Sequence, residues 1–227
     1  TGDMQTTLFM LISVDGKIST GSTNERDFDK DFPNIPGVSE GLAQYYELEG
    51  LTDVFSFNTG KVMAKVGWNE SKTNISKIPV SFVIVDNKPH LTNLGIENLL
   101  KRCKSLIIAT TNAQHPALSI KDNNLVVMQS DTEIDFAELF EKLEKMGIKQ
   151  MTFQSGGDMN ATLLRRGLIN NLSIVVAPAL IGGKQTPSLI GGDSLVTKED
   201  LKYIKTLELT KVDKLENYYL HLLYKVH

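Results

Sequence analysis

The chain has 227 residues, a formal net charge of −3, 41% hydrophobic residues and 22% charged residues. These totals exclude a disordered or fibrous chain and allow one α/β domain that buries its core without staples. The faintly acidic balance gives no footprint for nucleic acid or an acidic membrane, and no apolar run approaches the roughly 18 residues of a membrane span.

Residues Thr6 to Val14 are apolar and β-favouring and run into the turn Asp15-Gly16, which predicts a buried first strand. Gly16 to Ser39 is polar, with Asp27, Asp29, Asp31, Pro33 and Pro36. It reads as a long surface loop, either a binding lid or disordered filler. A helix is expected over Gly41–Leu51, a strand over Asp53–Phe57 and a helix over Lys61–Lys65 that Gly67 stops. Strands at Val80–Val85, Leu106–Ala109 and Leu125–Met128 alternate with a helix at Gly95–Cys103. Asp135 to Met146 is the clearest helix: Phe136, Leu139, Phe140 and Leu143 share one face, Asp135 and Glu138 have capping-box spacing, and Gly147 is a stop. A strand at Met151–Gln154, the turn Ser155-Gly156-Gly157-Asp158, a helix at Met159–Arg166 and a strand at Leu172–Ala177 follow. Leu207–Val212 and Tyr218–Val226 read as an antiparallel hairpin. Alternating strands and helices imply a mostly parallel central sheet flanked by helices, closed by that C-terminal antiparallel hairpin. No Pro-, Gly- or Ser-rich linker and no repeat divides the chain, so a single domain over 1–227 is expected.

Cys103 is the only cysteine. An internal disulfide is impossible, which suits a reducing, cytoplasmic location, and packing near a helix end is its expected role. His90, His115, His221 and His227 are scattered, with no metal-ligand spacing, so no metal is expected. No signal-peptide pattern opens the sequence. The pairs Lys101-Arg102 and Arg165-Arg166 read as solvated helix faces.

In a parallel sheet, ligands bind beyond the carboxyl ends of the strands. Three turns have that place: Asn58-Thr59-Gly60-Lys61, Ser155-Gly156-Gly157-Asp158, and Ala177-Pro178 leading to Gly182-Gly183. The second combines consecutive glycines with a following helix N-terminus, which suits a pyrophosphate or simply makes a tight turn. No G-x-G-x-x-G, P-loop or zinc-deaminase signature is present.

Met10-Leu-Ile-Ser-Val-Asp-Gly-Lys17, Gln154-Ser-Gly-Gly-Asp through Ile169, Ala177-Pro-Ala-Leu-Ile-Gly-Gly183 and Pro187-Ser-Leu-Ile-Gly-Gly192 occur in this order. Together they resemble the riboflavin-biosynthesis pyrimidine reductases, the C-terminal half of bifunctional deaminase–reductases. The resemblance covers nearly the whole chain. It implies the dihydrofolate-reductase-like α/β fold, an NADPH-dependent hydride transfer to a C=O or C=N bond, a small pyrimidine- or pterin-like substrate, and a homodimer. Asn58-Thr-Gly-Lys-Val-Met-Ala-Lys-Val-Gly67 resembles the strand–turn–helix of dihydrofolate reductase, where the basic residue meets the cofactor's 2′-phosphate.

The resemblance implies that Thr59, Gly60 and Lys61 hold the adenosine-phosphate end, and that Ser155, Gly156, Gly157 and Asp158 cradle the pyrophosphate. It places Ser13, Asp15 and Gly16 near the nicotinamide, with Ala177, Leu180, Ile181, Gly182 and Gly183, and makes Thr110 and Thr111 another cofactor-side turn. Asp15 is the candidate proton donor, or merely ends a strand. Bifunctional members usually carry a lysine where this chain has Phe9, an Asp-Asp-Pro or Asp-Asn-Pro turn at Lys65-Val66-Gly67, and a glutamate at Gln154. With those charges gone or reversed, Lys17, Lys65, Asp15 and Gln154 are the remaining substrate-side candidates. Two other readings stay open: a catalytically idle nucleotide-binding module, and a dihydrofolate reductase using Glu47 or Glu49.

Overall fold

The computed structural model describes residues 3–227, so Thr1 and Gly2 lie outside the described residues. In chain order the elements begin with β1 (Gln5–Ser13), α1 (Phe28–Asp31), α2 (Ala43–Glu49), β2 (Phe55–Thr59), α3 (Gly60–Lys65), β3 (Ser81–Val85) and α4 (Asn93–Arg102). They continue with β4 (Leu106–Thr110), β5 (Leu125–Gln129), α5 (Phe136–Lys145), β6 (Gln150–Phe153), α6 (Gly157–Arg165), β7 (Asn171–Ala177), β8 (Leu207–Lys214) and β9 (Leu220–Val226). Two compact units interleave along the chain: Asp53–Ser155 with Asp3 and Met4, and Gln5–Thr52 with Gly156–His227.

In the 53–155 unit the strands pair in the order β5-β4-β3-β2-β6, all parallel. Parallel pairing requires crossovers, which α3, α4 and α5 supply, with a 3-10 turn at Pro116–Ser119 between β4 and β5. Val83, Ile84, Leu106 and Ile108 are buried, as continuous apolar strands demand when both sheet faces are covered. The apolar face of α5 buries Phe136, Leu139, Phe140 and Leu143. The Phe140 ring lies 6.0 Å from Phe57 and 5.7 Å from Phe153. Asp135 caps the helix by accepting from the Glu138 N–H, and Gly147, at φ +93°, ends it. Cys103 caps the end of α4 and is buried, and burial pushes its thiol up to about 11, so it packs and is a poor nucleophile.

In the other unit the order is β1-β7-β9-β8. β1 and β7 are parallel, β7 with β9 and β9 with β8 are antiparallel, and an isolated antiparallel bridge joins Lys17 to Ser188. The core joins Phe9, Leu11, Phe28, Phe32, Val38, Leu42, Tyr45 and Tyr219.

Two sequence expectations need correction. Residues 16–39 are not a plain surface loop: Phe28 and Phe32, four apart, anchor α1 and the 3-10 turn after it in the core, and Asp27 caps α1 by accepting from Lys30 N–H at 2.7 Å. A polar window hid two aromatic anchors at helical spacing. The second strand starts at Phe55 rather than Asp53 because Asp53 bonds a side chain instead of a ladder partner. Its N–H donates to Thr152 Oγ1 at 3.2 Å, and that hydroxyl donates back to its carboxylate at 2.8 Å.

Candidate functional site

In the unit of Gln5–Thr52 and Gly156–His227, the loop after β1 is fastened to the segment after β7. The Val14 N–H donates to Ala179 O, Ile18 N–H to Pro187 O and Leu189 N–H to Gly16 O. Asp15 sits at the centre of this seam. It accepts from the Ser13 hydroxyl at 2.5 Å, from Ile181 N–H at 3.1 Å and from Gly182 N–H at 2.7 Å. The Ser13 hydroxyl, then the two amides, hold its carboxyl down at about 2. A carboxylate so stabilised is a poor proton donor near neutrality, and the structure gives Asp15 the role of loop anchor instead.

The folded value lies below the ordinary 3.8, so this anchoring is complete above about pH 4 and is lost as the pH falls towards about 2. Protease nicking within 178–186 is therefore expected to rise over that window in the wild type. Asp15→Asn is expected to show elevated nicking already at neutral pH. An unchanged cleavage pattern in the variant would remove the anchoring role.

Lys17 is also spent on the loop. Its ammonium donates to Gly183 O at 2.9 Å, Thr186 O at 3.1 Å and Ser188 Oγ at 3.4 Å. Three donors with three acceptors leave none for a substrate anion, against the sequence expectation. The tight bends needed by this seam fall on Gly16, Gly182 and Gly183, all at positive φ. Ala177 is buried in the core, whereas Leu180 is exposed.

The two glycines of the Ser155–Asp158 turn have different surroundings. At Gly157 a Cβ would overlap the Ser188 carbonyl oxygen, and Gly157 O accepts from Gly191 N–H at 2.9 Å. Asp158 accepts from Gly192 N–H at 3.0 Å, and Asn160 Nδ2 donates to Leu189 O at 2.9 Å. Gly157 is therefore a docking glycine for the 187–192 segment. Gly156, the N-cap of α6, has no side chain to cap the helix, and a Cβ there would meet nothing within 4 Å. It leaves the helix start open, as a phosphate would need. Ser155 is buried.

In the 53–155 unit, Thr59 caps α3 by accepting from Val62 N–H at 3.3 Å, and Lys61 is exposed. Gly60 is glycine because a Cβ would overlap the Asp86 carboxylate. Thr110 is wholly buried; its hydroxyl donates to Asp86 O at 2.8 Å and accepts from Asn112 N–H at 3.0 Å. It shapes the turn rather than offering a hydroxyl, while Thr111 N–H donates to Asn87 Oδ1 at 3.0 Å. Sequence reasoning stopped the strand at Val85, passing over Asp86, and took His115 only as a scattered histidine. A carboxylate directly after a buried apolar strand was the signal that could have marked Asp86.

Phe9, the position at which the resemblance leads one to expect a lysine, is 1% exposed and stacks on Tyr45 with ring centroids 5.2 Å apart. Its position is part of the core here. Lys65 and Gln154 are half-buried, and Glu47 is exposed late in α2. Among the described residues no helix is long and apolar enough to cross a membrane.

The topology is shared with solved structures. The chain aligns over its full length with RibD from Acinetobacter baumannii at a TM-score of 0.66 and 17% identity, covering 59% of that chain. The fold is therefore the dihydrofolate-reductase-like α/β fold of RibD reductase domains. The RibD C-terminal domain family model matches residues 5–220, and the chain belongs to that family. Two curated relatives are named 2,5-diamino-6-ribosylamino-4(3H)-pyrimidinone 5′-phosphate reductase. The one from Methanothermobacter thermautotrophicus is 23% identical over 197 residues, 81% of this chain and 82% of the relative. The one from Aquifex aeolicus is 25% identical over 142 residues, 62% of this chain and 61% of the relative.

Proposed function

We propose that residues 1–227 act as one reductase domain that binds NADPH and reduces a C=O or C=N bond of a small pyrimidine carrying a phosphorylated sugar. Membership of the RibD C-terminal domain family over residues 5–220 carries this reading, and the names of the curated relatives give the substrate class. The open start of α6 at Gly156 fits a pyrophosphate. The cofactor, when bound, supplies the hydride.

The chain's own residues bind and orient. Ser155, Gly156 and Asp158 would hold the pyrophosphate, and Thr59 and Lys61 the adenosine phosphate. Asp15 and Lys17, by fixing the 177–189 segment, would shape the nicotinamide end. With Phe9 in the core and Lys17 occupied, the substrate's anionic group falls to Lys65 and Gln154, so the preferred pyrimidine differs from that of the bifunctional enzymes.

Titration of NADPH and NADH into wild type and Lys61→Ala tests this. A charge-assisted contact contributes about 1.5–3 kcal/mol, or about one to two powers of ten in affinity. The wild type should prefer NADPH by that factor and the variant should lose the preference. Binding of neither cofactor sinks the reductase reading. Binding without oxidation of NADPH by any pyrimidine or pterin would favour an idle nucleotide-binding module.

The β8–β9 hairpin supports a homodimer. β8 is exposed along nearly its whole length. The bulge between Leu209 and Lys211 resets the alternation, so Leu207, Leu209 and Val212 share one face, opposite Val226, Tyr224 and Leu222. Leu209 is 52% and Val212 54% exposed. An apolar face of this kind marks an association surface. Gel filtration at the protomer mass of 25.2 kDa would exclude the dimer.

A further inference from the structure

The 53–155 unit holds a polar cluster around a buried aspartate with no part in the chemistry described so far. Asp86 follows β3 and is 2% exposed. Its Oδ1 accepts from His90 N–H at 3.1 Å and faces His90 Nδ1 at 3.4 Å. Its Oδ2 accepts from Leu91 N–H at 3.1 Å and lies 2.9 Å from His115 Nε2. The buried His115 accepts the Ala117 N–H on Nδ1 at 3.0 Å, so its proton sits on Nε2 and points at Asp86.

The carboxylate thus faces donors on every side, and its remaining flank presses on the Cα of Gly60, where no Cβ fits. The backbone carbonyl of the same residue receives the Thr110 hydroxyl, and its N–H donates to Ala109 O at 3.0 Å. The next residue, Asn87, receives Thr111 N–H. One corner therefore contacts the Thr59–Lys61 turn and the Thr110–Thr111 turn at once.

We infer that Asp86, oriented by His115, is a positioning residue that sets both turns and through them the discrimination between NADPH and NADH. The inference rests on the cofactor reading above. Burial explains its leverage: a group packed on all sides can yield only by moving its neighbours, and a small displacement of a binding group is expensive. An amide in place of the carboxylate would turn an N–H towards existing N–H donors, which no flip of the side chain relieves.

Asp86→Asn and the milder His115→Gln are compared with wild type in two measurements. The first is amide hydrogen exchange of the ligand-free protein. Exchange at Val62, Thr111 and Asn112, whose N–H groups are bonded within the two turns, is expected to accelerate about tenfold or more in Asp86→Asn, and less in His115→Gln, while the amides of β2 and β4 keep their protection. The second is the ratio of NADH to NADPH dissociation constants, expected to fall about tenfold in Asp86→Asn. A merely structural role would weaken both cofactors alike and leave the ratio unchanged. If Asp86→Asn does not fold, His115→Gln carries both measurements. Unchanged exchange at the turns, or an unchanged ratio, overturns the inference. Wild-type protein that binds neither cofactor overturns the reductase reading and the discrimination with it, and exchange at the two turns then decides whether Asp86 sets them.

Discussion

Gly157→Ala is expected to lower the melting temperature by roughly 5–10 °C, whereas Gly156→Ala, one residue away, leaves it within about a degree. At Gly157 the new methyl overlaps the Ser188 carbonyl oxygen and comes 3.3 Å from Gly191 N. Both obstacles are backbone and cannot swing aside. The 187–192 segment must lift, losing the Gly191–Gly157 bond and straining the Asp158 and Asn160 contacts. Overpacking of this kind costs about 2–3 kcal/mol. At Gly156 a methyl meets open space, and φ −76° with ψ 171° suits any L-residue. That variant is expected to fold normally and to bind NADPH at least tenfold more weakly, because the methyl occupies the approach to the helix start. Thermal denaturation and cofactor titration of the pair separate the docking role from the binding role. Equal stability of the two variants would show that Gly157 does not dock the segment, and undiminished NADPH binding by Gly156→Ala would remove the pyrophosphate role.

Tyr219→Ala is the second large effect, a loss of about 3–5 kcal/mol read from urea denaturation. Tyr219 is wholly buried, lies against Gly41 so closely that no Cβ fits there, and donates its hydroxyl to Val38 O at 2.6 Å. It joins the chain just before β9 to the segment between the first strand and α2. Tyr219→Phe keeps the ring and leaves the buried Val38 carbonyl without this donor, and is expected to cost about 1–2 kcal/mol. If the alanine variant loses no more than the phenylalanine variant, the ring is not the anchor its burial indicates.

Elements whose signals are local were legible in the chain alone. The apolar runs at Val80–Val85 and Leu106–Ala109 became β3 and β4 within a residue or so. The helix at 136–145, with Asp135 and Gly147 at its ends, was readable because capping chemistry and a 3.6-residue period need only neighbours in the chain. The order of glycine motifs pointed to the family that the 5–220 match shows.

What those motifs touch is settled by contacts between distant parts of the chain. Nothing in Gly156-Gly157 says that one glycine meets open space and the other meets Ser188, because that depends on a segment thirty residues on. Asp15 and Lys17 looked like free polar groups at a strand end. Their partners are Ile181, Gly182, Gly183 and Thr186, more than 160 residues away, and those contacts turn a candidate acid and a candidate substrate cation into loop anchors. Asp86 and His115 are 29 positions apart, and the parallel pairing of β3 with β4 brings the ends of those strands together. Helix and strand periodicity are short-range and legible in one dimension. The partner of a polar side chain is set by strand order and loop docking, which no local pattern encodes.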